Sequence, residues 1–249
     1  KIPVYFMPGM AANPKIFENI QLDLTVFELH YLSWDLPNKN ESLQSYASRI
    51  AQRITHKNPI LLGVSFGGIL VQEIAKIIVV RKIIIVSSVK STQELPKKMI
   101  FAKHTKIHKL IPTQLVTNME LVAKFALGDF MQKRIHLYEK YLSVRDPYYI
   151  DWSIDQIVNW EQAKAIPNTI HIQGTLDTVF PVDYIKDFNP DFIHLNEFSE
   201  NFAIKPFSNE IINFLYDKER KHKLFETTHS ANSDILNKRN KDIDFDCLL

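Results

Sequence analysis

The chain has 249 residues, 45% hydrophobic and 23% charged, which suits one large α/β domain or two smaller ones with a sizeable core. Its formal charge of +2 is too small to mark a nucleic-acid binder. The single cysteine, Cys247, excludes an internal disulfide framework and points to a reducing, cytoplasmic setting.

The stretch from Lys1 shows no signal peptide and goes straight into "IPVYFM" (2–7), which predicts a buried strand. The turn "PGMAANP" follows. "FELHYLSW" (27–34) predicts a second strand. "ESLQSYASRIAQRI" (41–54) carries Leu43, Ala47, Ile50 and Ile54 at helical spacing. "PILLGV" (59–64) is a third strand, continuous and apolar like a parallel strand covered on both faces. A helix from Phe66 to about Ile77 comes next, then a fourth strand, "KIIIVSSV" (82–89). No apolar run reaches membrane-spanning length, because Arg81 and Lys82 break the richest one. "NTIHIQG" (168–174) and "DFIHLNE" (191–197) predict a fifth and a sixth strand. "FSNEIINFLYDKERK" (207–221) predicts a helix that Ser208 can cap.

This alternation implies a parallel sheet with helices on both faces. Residues 91–165 interrupt it. They contain no convincing strand and several helical stretches, such as "TQLVTNMELVAKFAL" and "FMQKRIHLYEKYLSV". A connection of about 75 residues predicts a small helical subdomain. The expected organisation is therefore a core of residues 1–90 and 166–216, a helical insert at 91–165, and a charged tail at 217–249. The tail, with seven basic and seven acidic residues and no glycine or proline, predicts a fraying helix end and a mobile segment.

Three motifs can carry chemistry. Gly63-Val64-Ser65-Phe66-Gly67 is a G-x-S-x-G sequence with a predicted strand before it and a helix after it. The serine of such a turn is held in strained backbone geometry. Small residues are needed two places before and after it, where strand and helix pass closely. The helix N-terminus then offers its dipole and the Phe66 N–H to developing negative charge. The second motif, "YFMPGMAANPKIF", follows the first strand, where Met10 N–H is the natural second donor. An ordinary Pro-Gly turn is the plainer alternative. The third, "GTLDTVFP", puts Asp177 after the fifth strand, on the same sheet edge as Ser65. An aspartate there is often a simple turn former.

These motifs, in this order and each after a predicted strand, resemble the α/β-hydrolase superfamily, in particular its lipase/esterase-like serine hydrolases. The resemblance spans roughly residues 2–216. It implies a mostly parallel sheet of about six strands flanked by helices, with residues 91–165 as the helical lid. It also implies Ser65 as nucleophile and Asp177 as the triad acid, with Met10 and Phe66 forming the oxyanion hole through backbone N–H groups.

The family's histidine is where the pattern breaks. The loop after the last strand reads Glu197-Phe198-Ser199-Glu200-Asn201-Phe202-Ala203-Ile204, without histidine or glycine. Asn201 occupies the histidine's place, and an amide cannot accept and return a proton near neutral pH. His194, inside the sixth strand, is a substitute base. His222 and His229 lie in the tail. His171 reads as structural. His104 and His108 are four apart in the insert and read as a solvated face rather than a metal pair, since no third ligand accompanies them.

"KKMIFAKHTKIHK" (97–109) holds five lysines and no acid, which reads as a solvated helix face or a surface drawing in anions. Phe125, Phe130, Tyr138, Tyr141, Tyr148, Tyr149 and Trp152 supply lid core and part of an apolar pocket over Ser65. The expected partner is a small or acyl-chain ester or thioester, or an apolar ligand. No nucleic acid, transmembrane segment, metal or organic cofactor is implied. The expected function is serine hydrolysis. A degenerate α/β-hydrolase-like protein that only binds a ligand or partner is the alternative.

Overall fold

The computed structural model describes residues 1–110, 140–174, 177 and 179–185, and the backbone of 192–195. Six strands form one sheet: β1 (Ile2–Met7), β2 (Phe27–Tyr31), β3 (Ile60–Val64), β4 (Lys82–Val86), β5 (Thr169–Gly174) and β6 (Phe192–Leu195). Their order is β2-β1-β3-β4-β5-β6, and each adjacent pair is parallel. Among the described residues, the α-helices described from end to end are α1 (Leu43–Ala51), α2 (Phe66–Ala75), α3 (Lys97–Thr105) and α4 (Pro147–Asn159).

Alternation along the strands divides the core between two faces. Tyr5, Met7, Leu61, Ile83 and Ile85 pack with α1, α2 and α4. Val4, Phe6, Leu62, Val64, Ile84, Val86 and Ile172 line the other face, where Ile16, Phe17, Ile20 and Tyr141 cover them. Tyr149, Trp152 and Trp160 are buried in the first of these clusters. The far end of the 91–165 insert therefore packs directly into the core beside the sheet.

Several elements are shorter than the sequence predicts. The second strand stops at Tyr31 instead of Trp34, because Trp34 turns its indole toward the loop after β1. The fourth stops at Val86, where Ser87 enters the left-handed region at φ 48°. The 41–54 helix contracts to Leu43–Ala51 behind Ser42, whose side chain accepts from Ser45 N–H. The 66–77 helix ends at Ala75.

α3 buries none of its residues, in keeping with a solvated face. The same reading fails for His108, which is buried and lies 3.0 Å from both Ala102 O and Asp155 Oδ1. The turn after α3 folds it back onto α4, giving it a carboxylate partner that sequence spacing could not reveal. The predicted 207–221 helix, the tail with His222 and His229, most of the central insert stretches, Phe125, Phe130, Tyr138 and Asn201 lie outside the described residues.

Candidate active site

Ser65 stands where β3 runs into α2. Its backbone is at φ 51° and ψ −122°, a conformation costing a non-glycine residue about 1–3 kcal/mol. Surrounding contacts impose it. Ser65 N–H donates to Val86 O at 2.9 Å, and its carbonyl accepts from Gly68 N–H at 2.8 Å and from Ser88 Oγ at 2.8 Å. The helix and strand almost touch behind it. A Cβ on Gly63 would lie 2.3 Å from Gly67 O, and one on Gly67 would lie 2.3 Å from Pro8 O. Only glycine fits either position. The Ser65 side chain is thus held out of the helix and makes no capping hydrogen bond.

The loop after β1 lies against it. A Cβ on Gly9 would meet Ser65 Cβ at 3.6 Å, an ordinary van der Waals contact, so Gly9 leaves room beside the serine rather than relieving a clash. Among the described residues, the N–H groups of Met10 and Phe66 have no hydrogen-bond partner. Phe66 N–H opens α2, where unpaired donors and the helix dipole favour negative charge.

Two residues that the motifs did not single out hold this loop. Trp34 Nε1 donates to Gly9 O at 2.6 Å, and its ring stacks on Phe66 at 4.9 Å between centroids. Ala11, at φ 61°, donates its N–H to the Tyr149 hydroxyl at 3.1 Å. Tyr149 was visible only as one aromatic among several in the insert. Trp34 had no local signal beyond its place as the last residue of a predicted strand.

Asp177 is fastened on both oxygens. Oδ1 accepts from the N–H groups of Val179 and Phe180, each at 2.9 Å, and Oδ2 accepts from Gln173 Nε2 at 2.9 Å. Burial pushes its carboxyl above the ordinary aspartate value, and the donors from Phe180, Val179 and Gln173 work against that rise. Gln173 is fully buried and also donates to Phe180 O at 2.7 Å. Its Oε1 is therefore the acceptor facing His171 Nε2 at 3.0 Å. Burial, reinforced by nearby Lys90, pushes the His171 imidazole down to about 3, so the ring is neutral and donates through Nε2.

The strand register brings these groups to one edge. Val64, Val86, Ile172 and Ile193 share a row, and Ser65 and Asp177 both come after it. His194 pairs in backbone register with Gln173. Behind the sharp β3–α2 turn at Ser65, the elbow, the fully buried Gln72 donates to Gly68 O and Val89 O, each at 2.9 Å, and accepts from Gln162 Nε2 at 2.8 Å. This joins the first turns of α2 to the loop after β4.

No protein-family model and no curated protein matches the sequence. Solved structures resemble the fold across most of their own lengths. A lipase-esterase related protein from Clostridium acetobutylicum is 18% identical with a TM-score of 0.54, over 86% of this chain and 92% of that one. The RedJ thioesterase of the prodiginine biosynthetic pathway in Streptomyces coelicolor is 14% identical with a TM-score of 0.55, over 86% and 84%. An enol-lactonase from Burkholderia xenovorans is 10% identical with a TM-score of 0.56, over 87% and 92%.

Proposed function

We propose that this chain, which has the α/β-hydrolase fold, is a serine hydrolase cleaving a small or acyl-chain carboxylic ester or thioester through Ser65. The observation that carries this reading is the enforced backbone of Ser65 at φ 51°, beside the N–H groups of Met10 and Phe66, which have no partner among the described residues. Strain of that kind persists only where the surroundings over-determine it, and it exposes a hydroxyl at a helix N-terminus. The esterase, thioesterase and lactonase chemistries named for the structural neighbours agree with an acyl-transfer site.

In the proposed reaction, Ser65 Oγ adds to the carbonyl carbon while a base takes its proton. The carbonyl oxygen, now an oxyanion, accepts from Met10 and Phe66 N–H. The tetrahedral adduct then expels the alcohol or thiol, which leaves with the proton from the base. Water releases the acid by the same sequence in reverse. Asp177 would orient the base. His194 is the candidate among the strand histidines, since its backbone pairs with Gln173, the donor to Asp177.

One observation favours a second reading. The 197–204 loop holds Asn201 and no histidine, and without a base such a site retains only about 10³–10⁴-fold catalysis over water. The chain would then be a binder of a small apolar ligand or partner on a hydrolase scaffold.

A fluorophosphonate probe separates the two. Labelling of the native chain that disappears in Ser65→Ala supports the hydrolase. Failure of the native chain to label, with labelling appearing in Asn201→His, supports the binder. Persistent labelling in Ser65→Ala excludes Ser65 as the nucleophile.

A further inference from the structure

We propose that Glu28, His30 and His56 form a binding site for one divalent ion of the zinc class, at the β2 edge of the sheet, two strands from the β3 strand that leads into Ser65. Glu28 and His30 are two apart on β2 and so project from the same face. His56 reaches them from the connection between α1 and β3. One ligand atom from each side chain lies within 4.8 Å of the other two. His30 Nε2 is 3.0 Å from Glu28 Oε1, and His56 Nε2 is 3.5 Å from the same oxygen. Bonds of about 2.0–2.2 Å at tetrahedral angles place zinc ligands roughly 3.3–3.5 Å apart, so the three atoms need little movement to share an ion.

Two features distinguish this cluster from a chance ion pair. The first is an unmet nitrogen: His30 Nε2 is buried yet makes no hydrogen bond of acceptable geometry, despite the nearby glutamate oxygen. A metal satisfies a lone pair aimed in that way. The second is the support behind the ligands. The Tyr5 hydroxyl accepts from Thr55 N–H at 3.3 Å and lies 2.7 Å from His56 Nδ1; in the tautomer with the proton on Nδ1, Nε2 is the lone pair facing the cluster. Tyr5 also stacks on the His30 ring, 4.6 Å between centroids and 17° between planes. One buried phenol thus sets both imidazoles.

Two imidazoles and one carboxylate are the donor set of open zinc sites, and they suit that ion better than magnesium or calcium, which prefer oxygen. Three protein ligands leave a position for water. The ligands come from β2, at one side of the six-stranded sheet, and from a loop over 25 residues further along, so the ion would clip that strand to the loop after α1. Tyr5 pairs with Leu61, four residues before Ser65, which puts the cluster about 13 Å along the strands from the elbow at 3.3 Å per residue. It is a site separate from the proposed chemistry and does not depend on it.

The test is zinc titration of the untagged full chain by calorimetry, with thermal unfolding in parallel. The native chain should bind one tight equivalent and melt at higher temperature with zinc than without. That equivalent and the zinc-induced rise should vanish in the His30→Gln/His56→Gln double variant and survive in His104→Gln. Should the double variant not fold, Glu28→Gln at the half-exposed rim must weaken binding instead. Tyr5→Phe should lower affinity about 10- to 100-fold with the ligands intact. Equal zinc stoichiometry and affinity in the native chain and the ligand variants, or no zinc binding by the native chain, overturns the site.

Discussion

The backbone N–H of Ala11 donates to the hydroxyl of Tyr149, 138 residues away, at 3.1 Å. Tyr149 is fully buried, and it meets the Trp34 ring edge-on at 5.8 Å. Trp34 in turn holds Gly9 O and stacks on Phe66. The two backbone donors proposed for the oxyanion, one in the loop after β1 and one at the first residue of α2, are therefore tied to one aromatic group contributed by β2's exit, α2 and α4. Burial also pushes the Tyr149 phenol far above its ordinary value, so it remains a neutral hydroxyl that can accept from Ala11.

Tyr149→Phe keeps the ring and removes the acceptor. The buried Ala11 N–H is then orphaned, at about 1–3 kcal/mol. Because oxyanion bonds strengthen in the transition state, kcat on an activated ester should drop while KM stays within a few-fold. Steady-state kinetics and a thermal melt test this together. An unchanged kcat in a destabilised but folded variant would restrict Tyr149 to packing.

Gly67→Ala and Gly9→Ala should behave oppositely. The Gly67 Cβ would press on Pro8 O at 2.3 Å and Met7 O at 2.5 Å, both backbone atoms that cannot swing aside. Overpacking of that sort costs about 1–3 kcal/mol or more and moves the elbow. At Gly9 the nearest neighbour is 3.6 Å away, so stability should change by no more than a few tenths of a kcal/mol. Urea midpoints of the two variants provide the comparison.

Asp177→Asn exchanges an acceptor for a donor. The amide oxygen can still serve Val179 and Phe180, but its NH₂ then faces the Gln173 NH₂. The native carboxyl is raised by burial, so the folded state holds its proton to higher pH than the unfolded chain. Its contribution to stability accordingly falls as pH rises from the ordinary value of 3.8 through the folded value. In the variant that decline should be absent from a stability–pH curve. Hydrolysis should be lost with it if Asp177 orients the base. A variant that turns over esters at the native rate would remove Asp177 from the mechanism.

His171 works in the other direction. Its folded value is depressed to about 3 from an ordinary 6.5, so the unfolded chain takes up a proton that the native state refuses. The stability it contributes is whole above pH 6.5 and is lost progressively on acidification toward about 3. His171→Gln should flatten denaturation midpoints over that window. A native chain whose midpoint does not move there would contradict a buried neutral imidazole.

Local patterns made much of this legible. The six strands were readable because a buried parallel strand is a short apolar run bounded by turn residues; the first run keeps its predicted bounds and the second to fifth are trimmed by one to three residues. The trimming at Trp34 and Ser87 follows from partners outside the strand, a carbonyl in the next loop and a left-handed backbone, which no periodicity records. Gly63 and Gly67 were readable as close-approach glycines because the elbow's requirement is itself local.

The order of motifs along the chain was enough to point to the fold and to Ser65 and Asp177 as candidates, since strand, turn and helix are encoded within about a dozen residues each. Packing decided what those candidates rest on. Gln173 and His171 behind Asp177, Trp34 and Tyr149 behind the loop after β1, His108 against Asp155, and the meeting of Glu28, His30 and His56 all join residues that become neighbours only when the sheet closes. Sequence spacing measures distance along the chain. These contacts depend on distance across the core, which the stacking of α1, α2 and α4 on the sheet determines.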